Sequence, residues 1–250
     1  MADLIYGINA VREALLGRRR KPLELFIPLD ARSARLEDLA EEAGRAGIPV
    51  RQRERQDLDR LVGHHHHQGA VLKVEPFAYV ALEEMLERWR GSGRKAFFLL
   101  LDGITDPHNL GALLRSADAA GCHGVIIPKD RSCPVTAVVD KASAGALEHI
   151  PLAQVTNLAR TIEELKREGV WVYGLAGDAE AELLYGADLC GDLALVVGSE
   201  GEGLRLNVRR HCDGLFSIPM RGGVASLNAS VAAGVALFEV VRQREDQGAG

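Results

Sequence analysis

Short, unbroken apolar runs punctuate the second half of the chain: Phe97-Phe98-Leu99-Leu100-Leu101, Gly124-Val125-Ile126-Ile127-Pro128, Val170-Trp171-Val172-Tyr173, Leu193-Ala194-Leu195-Val196-Val197 and Leu215-Phe216-Ser217-Ile218. A strand that is apolar at successive rather than alternate positions is buried on both faces, and the amphipathic segments between these runs supply covering helices. The pattern predicts an α/β fold with a mostly parallel, doubly wound sheet, whose ligand sits beyond the C-terminal strand ends. Ahead of it lies a smaller α/β module: a helix over Asn9–Leu16, a strand over Leu23–Pro28, a helix over Ala34–Ala46, and strands at Val50 and over Ala70–Val74. A helical stretch, Val80–Trp89, runs into the polar break Arg90-Gly91-Ser92-Gly93-Arg94-Lys95. The expected division is therefore a domain over 1–75, a linker over 76–95 and a larger domain over 96–250. A last helix is expected from Ser226 to Arg244, with Leu227, Val231, Val235, Phe238 and Val241 on one stripe and Ala232, Ala233 and Ala236 filling much of the rest. Such a helix packs between layers or in a subunit interface, and the pattern leaves both open.

At 250 residues and 47% hydrophobic content the chain carries an ordinary globular core. No apolar stretch reaches the roughly 18 to 20 residues that span a bilayer, and the N-terminus has neither a basic nor an apolar leader segment, so a cytoplasmic protein with no membrane contact is expected. Cys122, Cys133, Cys190 and Cys212 form no C-x-x-C pair and read as reduced fillers. A net charge of −5 excludes a protein that coats nucleic acid through bulk charge. Through Glu75, however, 13 Lys and Arg stand against 12 Asp and Glu, while the remainder is six charges negative. Within the first part Arg18-Arg19-Arg20-Lys21 and Arg51, Arg53 and Arg55 are bunched, as an anion-binding face requires. The run His64-His65-His66-His67 points its rings in different directions in any regular structure, so no metal site is expected, only a loop before the strand at Ala70.

Three motifs carry chemistry. Asp106-Pro107-His108-Asn109 is a turn that starts a helix, with Asn109 the expected cap. Leu110, Leu113, Leu114 and Ala117 then share the core face, and Arg115, about 140° from Leu110, points away from it beside Gly111. Gly198-Ser199-Glu200-Gly201-Glu202-Gly203 follows a strand but lacks the dinucleotide spacing G-x-G-x-x-G, which disfavours a nicotinamide enzyme. Ile218-Pro219-Met220 leads through a glycine-containing loop to Ser226-Leu227-Asn228-Ala229-Ser230, where free main-chain amides at a helix start can hold a small ligand.

Together, and in this order, the three motifs resemble the SpoU family of RNA ribose 2′-O-methyltransferases, within the SPOUT trefoil-knot superfamily. Ile5-Tyr6-Gly7-Ile8-Asn9-Ala10-Val11 and His67-Gln68-Gly69 resemble that family's L30e-like RNA substrate-binding domain. Asp118-Ala119-Ala120-Gly121 and Val155-Thr156-Asn157-Leu158-Ala159-Arg160 are most similar to the bacterial branch that methylates a guanosine in the P loop of 23S rRNA. The resemblance implies S-adenosylmethionine as methyl donor, enclosed by Gly198, Ile218, Met220 and Leu227. It implies a catalytic group of Arg115, Asn109, Glu200, Ser226 and Asn228, with Arg115 activating the hydroxyl, Glu200 orienting, and Ser226 capping the last helix; because a guanidinium is a poor base, the role expected of Arg115 here is instead to anchor phosphate and ribose. It also implies a homodimer acting on 23S rRNA. Two alternatives remain: a tRNA methyltransferase of the same family, and a non-catalytic RNA-binding assembly factor.

Overall fold

The computed structural model describes residues 2–17, 19–31, 33–177 and 180–248, arranged in two compact units. One comprises Met1–Ala78 together with Pro134–His149, the other Tyr79–Cys133 with Ile150–Gly250.

In the first unit, β1 (Asp3–Tyr6), α1 (Ile8–Leu16), β2 (Pro22–Pro28), α2 (Ala34–Arg45), β3 (Val50–Arg53), α3 (Arg55–Val62) and β4 (Val71–Val74) build a four-stranded sheet of order β1-β4-β2-β3. Only β2 and β3 pair in parallel. Ile5, Leu25, Ile27, Leu72 and Val74 pack with Val11, Leu39 and Ala43 into one core. Two expectations change here. Asp3–Tyr6, to which the sequence pattern assigned no element, is a strand, because its register with Val71–Val74 completes the sheet. The basic bunch at Arg18–Lys21 is not a surface cluster. Arg20 is 3% exposed and lies between Asp140 and Glu148, and Arg19 donates to the carbonyl of Leu147. Arg18 lies outside the described residues. By contrast Arg51, Arg53 and Arg55 are exposed at the β3 edge and the start of α3, with Arg51 held by Glu24 at 3.0 Å.

The second unit contains α4 (Leu82–Ser92), β5 (Phe97–Asp102), α5 (Pro107–Ala119), β6 (Gly124–Pro128), β7 (Leu152–Val155), α7 (Leu158–Arg167), β8 (Trp171–Leu175), β9 (Glu182–Leu183), β10 (Leu193–Gly198), α8 (Leu206–His211), β11 (Gly214–Ser217) and α9 (Ala229–Gly248); α6 (Ala137–Ser143) belongs to the first unit. Among the described residues its sheet has seven strands, all parallel, in the order β7-β6-β5-β10-β8-β11-β9. The unbroken apolar strands are covered on both sides. Phe98, Leu100, Ala194 and Val196 face α4, α7 and α8, whereas α5 and α9 pack together on the opposite face. This is the expected α/β fold, a parallel, doubly wound sheet with a small α/β domain ahead of it. No helix among the described residues is long and apolar enough to cross a membrane.

The strand order positions the site. The chain leaves β5 for β6 and β7, then returns to the other side, so β10 is inserted beside β5 with Gly198 in register with Asp102. Their C-terminal loops are therefore neighbours at the point where the winding reverses. Helix α9 starts three residues later than expected and presents its alanines inward: Ala229, Ala233, Ala236, Leu237 and Val240 are buried, while Val231 and Phe238 are about half exposed, at 51% and 49%.

Candidate active site

The first motif folds as it does because of its Asp-Pro pair. Asp106 is extended, as the residue before a proline prefers, and Pro107 occupies the first helical position. The Asp106 carboxylate accepts the amide protons of His108 (2.6 Å) and Asn109 (3.2 Å), so Asp106, not Asn109, caps α5. That correction matters, because it releases the Asn109 side chain. Leu110, Leu113, Leu114 and Ala117 are buried as expected, and so is Gly111.

The second motif closes on itself. Ser199 and Gly203 exchange main-chain hydrogen bonds of 3.2 and 3.0 Å, with Gly201 and Gly203 in the left-handed region at φ 85° and 66°. A Cβ on Gly198 would lie 2.1 Å from the Gly203 carbonyl carbon, so only glycine lets the loop fold back and lift Glu200 to its tip. The loop is clipped to β5 by Asp102, which is 1% exposed and accepts the Arg205 amide (2.8 Å) and its Nε (2.6 Å). Sequence reading assigned Asp102 and Arg205 no role. The available signal was a lone charge ending an otherwise apolar strand.

The third motif ends in Asn228, whose Oδ1 accepts from Ser230 N (2.9 Å), Ser230 Oγ (2.6 Å) and Val231 N (3.3 Å). Asn228 is thus the cap of α9, and Ser226, exposed and two residues earlier, does not perform the capping expected of it. The Asn228 Nδ2 donates to Asn109 Oδ1 (3.0 Å) and to Glu200 Oε1, and Asn109 Nδ2 donates to the same Glu200 oxygen (3.1 Å). One side chain from each motif therefore meets in a closed triangle, and Glu200 Oε2 remains available.

Arg115 does not join the triangle. It is exposed on α5 and makes no hydrogen bond or ion pair among the described residues. A guanidinium that stays protonated and offers five donors without an acceptor of its own is suited to an anion that arrives with a substrate. Ile218, Met220 and Leu227 are half-buried, and from Ile218 to Leu227 the chain makes no hydrogen bond to the described residues. Apolar side chains beside unused main-chain donors and acceptors fit a ligand with an aromatic ring and a polar periphery. No group of His, Cys, Asp and Glu among the described residues is placed to hold a metal ion.

Residues 96–238 match the SpoU rRNA Methylase family, and residues 4–80 match the RNA 2′-O ribose methyltransferase substrate-binding family. The chain is 49% identical over 243 residues to the 23S rRNA (guanosine-2′-O-)-methyltransferase RlmB of Xanthomonas campestris, covering 96% of each chain. It is 47% identical over 244 residues to the enzyme of the same name from Escherichia coli K12, covering 98% of this chain and 100% of that one. Among solved structures, the SpoU methyltransferase AviRb from Streptomyces viridochromogenes, in complex with AdoMet, superposes with a TM-score of 0.80 at 26% identity, covering 98% of this chain and 91% of AviRb. The three motif loops joined by Asn109, Glu200 and Asn228 lie within the stretch that matches the SpoU rRNA Methylase family, and with the full-length relatives this establishes that the chain belongs to the SpoU rRNA methylase family.

Proposed function

We propose that this chain transfers a methyl group from S-adenosylmethionine to the 2′-hydroxyl of a guanosine ribose in the P loop of 23S rRNA, in the cytoplasm and as a homodimer. The observation that carries the reading is the Asn109–Glu200–Asn228 triangle at the adjoining ends of β5 and β10. S-adenosylmethionine supplies an electrophilic methyl on a sulfonium centre. Gly198, Ile218, Met220 and Leu227 would hold it, the three side chains against its apolar parts and the free main chain of 218–227 against its polar ones.

The reaction needs an oxygen nucleophile aligned with that methyl, and alignment alone is worth about 7 to 11 kcal/mol. Glu200 is fixed at one oxygen by two carboxamides and turns the other toward the ribose. Arg115 anchors the phosphate and ribose and stabilises negative charge as it develops on the 2′-oxygen, since a guanidinium is too weak a base to take the proton. Ser226 stands beside the triangle at the loop's end and lines the ribose approach. In the first unit, the residues matching the substrate-binding family, with exposed Arg51, Arg53 and Arg55, engage RNA shape and backbone. Val231 and Phe238, left outward on α9, are the apolar stripe that a second copy would cover.

Mapping 2′-O-methylated nucleotides in rRNA and tRNA, from cells with and without the gene, tests the reading. Loss of one 23S guanosine methyl in the P loop supports it; loss confined to tRNA, or no loss, refutes it. Sedimentation showing a fully active monomer would overturn the dimer.

A further inference from the structure

The four-histidine run has no part in methyl transfer, yet the structure gives each ring a distinct setting. His67 is fully buried. Its Nδ1 accepts the Gly69 amide (3.0 Å), which leaves its proton on Nε2, donated to Asp59 Oδ1 (2.9 Å). The other Asp59 oxygen takes His65 Nδ1 at 2.7 Å. Gln68, in the left-handed region at φ 56°, accepts the Ile8 amide at 3.0 Å and ties the loop to the start of α1. The loop is therefore anchored at three points.

What it presents is a ledge. The His64 ring packs edge-on to Tyr6, 4.4 Å between centroids, and its Nδ1 accepts the His66 amide (3.2 Å). His66 follows, with its ring centroid 5.9 Å from that of His64 and its side chain exposed. Lys141 enters from α6, donating to the His66 carbonyl (2.9 Å) with Nζ 5.4 Å from the Tyr6 ring. It makes no ion pair among the described residues: Asp59 is committed to His65 and His67, and Asp140 to Arg20. The ledge thus joins an ammonium with two N–H groups to spare and an outward imidazole plane on a rigid support. Burial and the neighbouring His66 and Lys141 hold the His64 ring below the usual imidazole range, so it stays an uncharged plane at neutral pH.

We propose that His64, His66 and Lys141, backed by Tyr6, form a contact surface for a single-stranded stretch of the RNA substrate, an inference that rests on the RNA-methylating function above. Unstacked bases lie on flat rings, and an ammonium beside them takes the adjoining phosphate; a duplex would offer the rings no base face. The rings do not gather round a common point: no group of His, Cys, Asp and Glu among the described residues is placed to hold a metal ion. Lys141 falls within the stretch that matches the methylase family, yet it packs in the first unit. The ledge is thus assembled from both matched regions of the chain.

The test is fluorescence anisotropy of the full-length protein with a P-loop-containing 23S rRNA fragment, alongside methylation kinetics and S-adenosylmethionine binding. Lys141→Gln should weaken RNA binding about 3- to 10-fold and lower the salt slope by about one, and Lys141→Arg should restore both. His66→Ala, at an exposed position, should weaken binding about 3- to 10-fold with an unchanged salt slope. In every variant KM for RNA rises while kcat at saturating RNA and S-adenosylmethionine affinity stay put. If wild-type protein binds and methylates the fragment and both variants bind equally well, the ledge is overturned and the function stands. If wild-type protein neither binds nor methylates it, the functional reading falls and takes the ledge with it.

Discussion

Asn228 has two separable jobs, and substitutions can pull them apart. Its Oδ1 caps α9 through Ser230 and Val231, and its Nδ2 bridges Asn109 and Glu200. Asn228→Ala removes both. A lost cap is worth about 1 kcal/mol, and two exposed hydrogen bonds about 0.5 kcal/mol each, a total of about 1–2 kcal/mol. For a domain of this size that lowers Tm by roughly 3–8 °C. Asn228→Asp keeps the cap and gains about 0.3–1 kcal/mol from a negative charge at a helix start, but sets a second carboxylate about 3 Å from Glu200. At the dielectric of water that repulsion is about 1.4 kcal/mol, and with the two lost bridging bonds at about 0.5 kcal/mol each the net loss is about 1.4–2.1 kcal/mol, comparable to that of Asn228→Ala. Both variants lose the bridging donor, so single-turnover methyl transfer should drop by about 10²-fold in each, the scale of a misplaced catalytic group. Thermal denaturation paired with single-turnover kinetics reads the two jobs independently. Near-normal turnover in Asn228→Asp would show that the carboxamide bridge does not order the site, and an unchanged Tm in Asn228→Ala would show that Asn228 is not the cap.

Arg115→Ala should lower kcat by about 10²- to 10⁴-fold with Tm unchanged, because the side chain has no partner among the described residues; a Tm loss of several degrees would contradict the assignment. Gly198→Ala drives a Cβ into the Gly203 backbone and should cost at least about 2–3 kcal/mol in urea unfolding, so a normal midpoint would refute the loop geometry. His123 is pushed down to about 4 by burial and by Arg94 and Arg244, from an ordinary 6.5, while its Nδ1 accepts the Phe97 amide. Between those two values the unfolded chain binds a proton that the folded chain does not, so stability falls as pH falls. After discounting for partial exposure the loss is about 1–2 kcal/mol, and His123→Gln should flatten the pH dependence of the urea midpoint. Arg20→Ala strands the Asp140 and Glu148 carboxylates in the interior and should destabilise the first unit by about 3–5 kcal/mol, measured by denaturant unfolding.

The parallel sheet was legible because five of its strands are apolar at successive positions, a signal that depends on no partner. Strands such as Asp3–Tyr6 and Leu152–Val155 were not, since each is four residues long and is made a strand by its neighbour. Capping was misplaced twice, in opposite directions. Asn109 and Ser226 are good caps by residue type, but Asp106 before Pro107 and Asn228 before Ala229 hold the geometry, and type alone cannot rank two candidates two or three residues apart. Arg20 shows the sharper limit. In sequence it is one of four adjacent basic residues, and its inward turn is dictated by Asp140 and Glu148, which lie more than a hundred positions away.

The separation of rigidity from chemistry explains why the triangle can be polar and exposed. Asn109, Glu200 and Asn228 are all solvent-accessible to some degree, and exposed hydrogen bonds between side chains are too weak to fix two loops and a helix start by themselves. Order comes from below. Asp102 is buried at the end of β5, and a buried carboxylate is tolerated only when its lone pairs are taken, here by the Arg205 main chain and guanidinium. That clamp binds the loop after β10 to the strand beside it, the Ser199–Gly203 closure shapes the loop, and the alanine face of α9 packs against α5 to bring Asn228 within reach. With position fixed by buried groups, the exposed ones need spend little of their bonding capacity on structure. Glu200 keeps one oxygen, and Arg115 keeps a guanidinium with no partner among the described residues, as the proposed contacts to ribose and phosphate require.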